Sequence, residues 1–220
     1  EQAAAVLATA TEFGGLDASS LAVSLAEAEQ YNQMLAVGES TKDLDYDAIL
    51  ATGAGAMGSI LIPGIDTELP IYHGTSDATL ALGVGHLEHT SFPVGGTSTH
   101  AALSAHHGVP EAKMFDRLDE LVPGDRFMVS VFGRITAYQV IGEQVVLPEN
   151  TEPLAIQPGK DLVTLITCTP LGVNSHRLLV TAERVELAAE ELEAAKHVAG
   201  PGFPWWALAL AAAVIVATFY

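Results

Sequence analysis

The chain has 220 residues and a formal net charge of −18, because 27 acidic side chains outnumber 9 basic ones. This charge excludes the basic surface that phosphate binding requires, so nucleic acid is not expected as a partner. A single cysteine excludes an internal disulfide, and the length suffices for one domain with a sizeable core plus appendages.

Residues 1–56 predict a helical arm followed by a linker. Residues 1–11 are rich in alanine and helix-prone, and a second helix, capped by Asp17 or Ser19, is predicted to run through Leu35. Residues 38–47 are polar and acidic. This composition favours a solvated linker, and the alternative is a short lid.

Residues 57–185 predict a mainly β domain, because short apolar segments alternate with turn residues. Regular spacing of such segments favours a closed or nearly closed barrel. We predict strands over residues 59–62, 69–72, 97–105, 125–132, 135–146, 162–167 and 177–181, and a short helix over residues 77–82. A further helix is predicted over residues 111–122 from apolar residues at helical spacing, namely Met114, Phe115, Leu118, Leu121 and Val122.

The end of the chain predicts a membrane segment. Residues 186–202 favour an acidic juxtamembrane helix and a linker, and residues 203–220 are an uncharged apolar run that opens with two tryptophans. A run of this length with interfacial tryptophans predicts a transmembrane helix. The alternative is a buried core helix, which is disfavoured because residues 200–202, Gly-Pro-Gly, separate the run from the acidic segment.

The chemistry is predicted around the single cysteine. Residues 161–180 favour a strand, a turn and a second strand, with Cys168 at the end of the first and Arg177 at the start of the second. If the strands are neighbours, a thiol nucleophile and a permanent positive charge share one end of a sheet. A lone cysteine is most often a small buried hydrophobe, but Thr167, Thr169 and Pro170 give Cys168 a polar rim, which favours a reactive role.

A thiol nucleophile needs an acid or base, and eight histidines are available: His73, His86, His89, His100, His106, His107, His176 and His197. His106 fits best, because it follows an apolar strand and opens onto a loop, but spacing alone leaves His107 and His100 as competitors. A zinc site built from Cys168, His100, His106 and His176 is disfavoured, because no paired ligand spacing such as CxxC or HExxH occurs.

The segment around Cys168 resembles the signature of sortases, the cysteine transpeptidases of Gram-positive cell surfaces. Residues 164–170 read Thr-Leu-Ile-Thr-Cys-Thr-Pro, and residues 172–180 read Gly-Val-Asn-Ser-His-Arg-Leu-Leu-Val. Further blocks are similar to the class C, pilin-polymerising branch, at residues 62–63, 69–76, 83–87, 93–96 and 99–100. The resemblance covers roughly residues 31–185 and implies a sortase-type closed β-barrel with short helices.

The catalytic histidine of the family lies in a Leu-Thr-Gly-His-Arg-Gly-Leu-Pro motif. Residues 103–110 read Leu-Ser-Ala-His-His-Gly-Val-Pro, so the resemblance assigns the catalytic role to His106 and places His107 where the family has arginine. Class C enzymes also carry an Asp-Pro-aromatic lid motif ahead of the barrel. No Asp-Pro occurs in residues 38–47, so the lid is missing, shortened or degenerate around Asp45-Tyr46.

The resemblance implies a membrane-anchored transpeptidase with an extracytoplasmic catalytic domain. Cys168 attacks the Thr-Gly carbonyl of an LPxTG-like sorting signal, His106 protonates the leaving amine, and Arg177 donates to the oxyanion or holds the substrate backbone. A lysine amine of a pilin subunit then resolves the thioacyl enzyme, without a metal or organic cofactor. The alternatives are a housekeeping-type sortase that uses cell-wall peptide amines and a membrane-tethered binding module with a structural cysteine.

Overall fold

A computed structural model gives the fold and describes residues 18–52, 55–108 and 113–188. These residues form eight strands: β1 (Ala56–Ile62), β2 (Thr67–His73), β3 (Val84–His86), β4 (Thr99–Ser104), β5 (Arg126–Val131), β6 (Arg134–Val146), β7 (Asp161–Thr169) and β8 (His176–Val185). They also form two α-helices, Ala18–Ala36 and Asp77–Leu82, and three short 3-10 helices, Pro63–Ile65, Leu118–Glu120 and Glu152–Leu154.

The strands close into a barrel in the order β1-β2-β3-β4-β7-β8-β6-β5, with β5 pairing back onto β1. Neighbouring strands are antiparallel except for two parallel pairs, β2 with β3 and β4 with β7. Closure leaves no unpaired sheet edge, which removes a site of aggregation. The predicted mainly β, closed barrel is therefore confirmed.

Alternation along each strand separates two apolar clusters. The interior of the barrel holds the larger one, to which β7 contributes Val163 and Leu165. A smaller cluster, made of Ala102, Ile166 and Leu179, lies on the opposite face of β4, β7 and β8. Both faces of β7 are covered, which explains why its sequence is an almost continuous apolar run rather than an alternating one.

The helix Ala18–Ala36 packs against the barrel through polar and aromatic contacts. The Asn32 side chain donates to the Phe92 carbonyl at 3.0 Å and accepts from the Phe92 N–H at 2.7 Å. Tyr31 meets the Phe92 ring edge to face, with 4.9 Å between centroids. These contacts hold the helix beside the barrel, where the sequence predicts a helix ending at Leu35.

The predicted membrane segment lies outside the described residues, as do residues 1–17 of the predicted arm. In the part of the chain that the structure describes, none of the helices combines the length and apolarity that crossing a bilayer requires.

The helix predicted over residues 111–122 is wrong. From residue 113 onward this segment consists of turns and one 3-10 turn, Leu118–Glu120. The Phe115 N–H donates to the His106 carbonyl at 3.0 Å, nine positions back, so it is not available for a bond within a helix. The apolar side chains are nevertheless buried, because the loop folds under the barrel: Met114, Phe115, Leu118 and Leu121.

Leu103 tests the contribution of the interior cluster to stability. It is fully buried in β4, so Leu103→Ala leaves a cavity and should lower the free energy of unfolding by about 2–5 kcal/mol. Urea unfolding measures this loss. Val173→Ala is the control, since Val173 is 69% exposed and such surface changes stay within about 0.5 kcal/mol. Equal stability of the two variants would contradict this account of the core.

Candidate active site

The pleat of β7 places Cys168 outside the barrel interior. Val163 and Leu165 point inward, whereas Ile166 belongs to the outer cluster. Cys168 lies two positions beyond Ile166 and therefore on the same outer face. The thiol is only partly buried, so it is accessible to a substrate that lies along this face.

Arg177 is the direct neighbour of Cys168. The two residues are opposite each other in the antiparallel pairing of β7 with β8, a relation that brings Cβ atoms to about 4.5–5.5 Å. The guanidinium Nη1 of Arg177 donates to the carbonyls of Asn174 and His176, each at 3.1 Å. The turn between the strands therefore holds a permanent positive charge beside the thiol.

His106 reaches the same face through the parallel pairing of β4 with β7. In that register Ser104 is level with Ile166, and the pairing continues because the Ala105 N–H donates to the Ile166 carbonyl at 3.1 Å. Two residues further along each chain lie His106 and Cys168. The register therefore sets the two side chains at the same height on the outer face.

One cavity of about 380 Å³ is lined by all three predicted site residues, Cys168, His106 and Arg177. The structure thus brings together a thiol, an imidazole and a guanidinium from three adjacent strand ends. A thiolate nucleophile, a proton carrier and a fixed cation are the parts that acyl transfer through a thioester requires.

Sequence reasoning missed the apolar wall of this cavity. The wall combines the outer strand faces with the loop between β6 and β7, and its members include Leu87, Val146, Leu147, Leu154, Ile166 and Leu179. The almost continuous apolar run of β7 is the signal that could have revealed it, because apolar residues on a second face of the strand must also pack against something. This wall suits an extended apolar peptide segment that leads to the thiol.

The competing histidines have other partners. His100 is buried, and its ring nitrogens lie 3.0 Å from the Ala155 carbonyl and 2.7 Å from the Thr164 hydroxyl. Nδ1 of His107 lies 3.0 Å from the Cys168 carbonyl, and His107 does not line the cavity. Across residues 18–52, 55–108 and 113–188, no three His, Cys, Asp or Glu side chains come together as metal ligands.

The strap segment, residues 39–52, packs against the barrel and does not line the cavity. The Tyr46 hydroxyl bonds to Nδ1 of His86 at 2.9 Å and accepts from the Gly74 N–H at 3.1 Å. Nε2 of His73 lies 2.7 Å from the Ile49 carbonyl. No residue of the strap segment lines the cavity, so the Asp45-Tyr46 region does not act as a plug over Cys168 in this conformation.

A larger cavity, of about 790 Å³, lies near the other end of the barrel. Its lining contains Arg134 and Arg184 but neither cysteine nor histidine. Both arginines already face carboxylates, Glu29 at 2.5 Å and Asp161 at 3.2 Å. The smaller cavity at Cys168 is therefore the better candidate for chemistry.

The sortase domain family model matches residues 60–185, more than half of the chain. The chain belongs to the sortase family. The sortases are cysteine transpeptidases, and the matched residues contain Cys168, His106 and Arg177. The predicted family is thus confirmed, whereas the catalytic roles of the three residues remain predictions.

Solved sortases of class C share the fold. Sortase C1 of the GBS pilus island 1 is 39% identical, with a TM-score of 0.80, over 86% of this chain and 94% of that one. Clostridium perfringens sortase C, solved with the C-terminal cell wall sorting motif, is 38% identical, with a TM-score of 0.77, over 83% of this chain and 98% of that one. The predicted similarity to class C is confirmed.

A curated relative, sortase A of Streptococcus agalactiae serotype III, is 28% identical over 153 residues, or 66% of this chain. The match spans 61% of the length of that relative. The chain therefore matches less than two thirds of the length of that relative.

The histidine cluster under the strap segment predicts how stability depends on pH. Burial lowers the pKa of His86 to about 4 and also lowers the pKa of His73. The unfolded chain therefore binds more protons between pH 6.5 and 4, and stability should fall as pH falls through this window. The His86 contribution is about 3 kcal/mol. Urea titrations at several pH values should show a flatter profile for His86→Gln, whatever its stability at neutral pH. An unchanged profile would contradict this assignment.

Tyr46→Phe tests whether the strap segment covers the site. Loss of the hydroxyl leaves Nδ1 of His86 and the Gly74 N–H without this partner, so stability should fall by about 1–3 kcal/mol. The rate of Cys168 alkylation by iodoacetamide should stay unchanged, because the strap does not line the cavity. The exposed Lys42 supplies the control variant, Lys42→Ala. A markedly faster alkylation of Tyr46→Phe alone would mean that the strap restricts access to the thiol.

Proposed function

We propose that this chain is a sortase of the pilin-polymerising type, which cleaves an LPxTG-like sorting signal and transfers it to a lysine amine of a pilin subunit. The observation that carries the proposal is the meeting of Cys168, His106 and Arg177 in one cavity with an apolar wall. Family membership and the partly exposed position of Cys168 disfavour a binding module with a structural cysteine.

Acylation uses the three side chains in turn. The Cys168 thiolate attacks the Thr-Gly carbonyl of the sorting signal, and Arg177 donates to the oxyanion that develops there. The His106 imidazolium protonates the leaving glycine amine as the C–N bond breaks. The products are a thioester on Cys168, a neutral His106 and a released amine. The sorting motif bound by Clostridium perfringens sortase C supports this class of substrate.

Deacylation reverses these roles. Neutral His106 takes a proton from the acceptor ammonium, and the free amine attacks the thioester carbonyl. The C–S bond breaks, the Cys168 thiolate returns, and the second amine proton passes to solvent. We propose a pilin lysine as acceptor, because the similar sortase C1 belongs to a pilus island. A cell-wall peptide amine, as in a housekeeping sortase, is the alternative that the similarity to a sortase A supports.

We further propose that residues 203–220 anchor the protein in the cell membrane, with the catalytic domain on the extracytoplasmic side. The support is the uncharged apolar sequence of this segment and its two opening tryptophans. This location would place Cys168 where membrane-bound pilin precursors emerge.

Mass spectrometry of the purified protein with an LPxTG-type peptide tests the acylation step. The wild-type protein should gain an acyl adduct on Cys168, and Cys168→Ala should gain none. His106→Ala and Arg177→Ala should form the adduct roughly 100-fold more slowly, because each removes proton transfer or oxyanion stabilisation.

His89→Ala and Arg117→Ala are matched controls, since both residues are exposed and neither lines the cavity. They should react at the wild-type rate. An adduct that forms equally fast in His106→Ala would refute the role given to this histidine. Addition of pilin-derived lysine peptides or cell-wall peptides to the acylated protein then separates the two acceptor classes.

A further inference from the structure

The hydrogen bonds between the β4 and β7 chains extend beyond the end of β4. The Thr167 hydroxyl donates to the Ala105 carbonyl at 2.9 Å. Two residues further on, Nδ1 of His107 lies 3.0 Å from the Cys168 carbonyl. The residues on both sides of His106 are therefore bonded to β7, and the last of these bonds ends on the backbone of the nucleophile itself.

The bond to Cys168 fixes the protonation of the His107 ring. A carbonyl oxygen only accepts hydrogen bonds, so Nδ1 must carry a hydrogen. Neutral His107 is therefore the Nδ1–H tautomer, selected by this contact. The Cys168 carbonyl belongs to the main chain of β7, so this hydrogen bond links the His107 ring directly to the end of β7.

The loop that carries His107 is fixed from its other side as well. The Gly108 N–H donates to the Asp116 carboxylate, and the His106 carbonyl accepts from the Phe115 N–H at 3.0 Å. Gly108 has a φ of +78°, and a Cβ there would collide with the Leu171 side chain of the turn that follows Cys168. The turns after β4 and β7 therefore pack directly on each other.

We propose that His107 is a positioning residue: its Nδ1–H holds the Cys168 carbonyl and thereby sets the separation between the Cys168 thiol and the His106 ring. His107 does not line the cavity, so it acts through the backbone rather than on the substrate. The sortase pattern has arginine at this position, whereas this chain has the shorter, planar ring of a histidine.

The inference rests on the proposed transpeptidase function for its activity test. Thioacyl formation on Cys168 is measured in the full chain for wild type, His107→Ala, His107→Asn and the control His89→Ala. In His107→Ala, kcat should fall about tenfold with KM within about twofold, because small misplacements of reacting groups slow the chemical step. In His107→Asn, kcat should stay within about threefold of wild type, since the side-chain amide offers an N–H to the same carbonyl.

Two further measurements need no substrate. Long-range ¹H–¹⁵N spectra of the wild-type protein should assign neutral His107 to the Nδ1–H tautomer. The rate of Cys168 alkylation should fall in His107→Ala and recover in His107→Asn, at equal thermal stability. A Nε2–H tautomer, a wild-type rate in His107→Ala, or a His107→Asn variant as slow as His107→Ala would each overturn the proposal. If wild type forms no thioacyl adduct, the proposed function fails, and the tautomer and alkylation results still decide the role of His107.

Discussion

The parallel pairing of β4 with β7 is the constraint on which the site depends. Because side chains alternate, a slip of one residue in this register would turn His106 toward the barrel interior and bring its neighbours to the cavity. The register is secured at the far end by Asp161, which accepts from the Thr99 hydroxyl of β4 at 3.3 Å and from the Gly96 N–H, just ahead of β4, at 2.8 Å. At the near end the Thr167 hydroxyl bonds to the Ala105 carbonyl. Side-chain hydrogen bonds at both ends of the strand pair thus fix its register.

The two faces of the same strands carry stability and chemistry separately. Inward residues of β4 and β7 fill the interior, as Leu103 and Leu165 do. Outward residues form the apolar wall, and Cys168, His106 and Arg177 lie on the same face at the strand ends. The two faces bury different side chains, so a substitution in the apolar wall removes no atom from the interior cluster.

Local sequence was sufficient for Cys168 and Arg177, because they lie on strands joined by one short turn. It was insufficient for His106, whose approach to Cys168 depends on a parallel pairing between strands about sixty residues apart in sequence; only the family resemblance separated it from His100 and His107. The spacing of apolar residues over 111–122 predicted a helix wrongly for a related reason. A loop that tucks under a barrel buries every third or fourth side chain just as a helix does, and its backbone partners, such as the His106 carbonyl, are distant in sequence.

His100 in β4 and His106 just beyond it differ in burial and therefore in their hydrogen bonds. Burial lowers the pKa of His100, so its neutral ring donates from Nδ1 to the Ala155 carbonyl and accepts from the Thr164 hydroxyl at Nε2. This contact holds the loop that carries Leu154 and the rest of the apolar wall. His106 lies on the partly exposed end of the same face, and its ring makes no such contact among the hydrogen bonds of the described residues. The loop wall of the cavity is therefore held by a buried, neutral histidine, and the thiol side is lined by a partly exposed histidine whose ring makes none of these bonds.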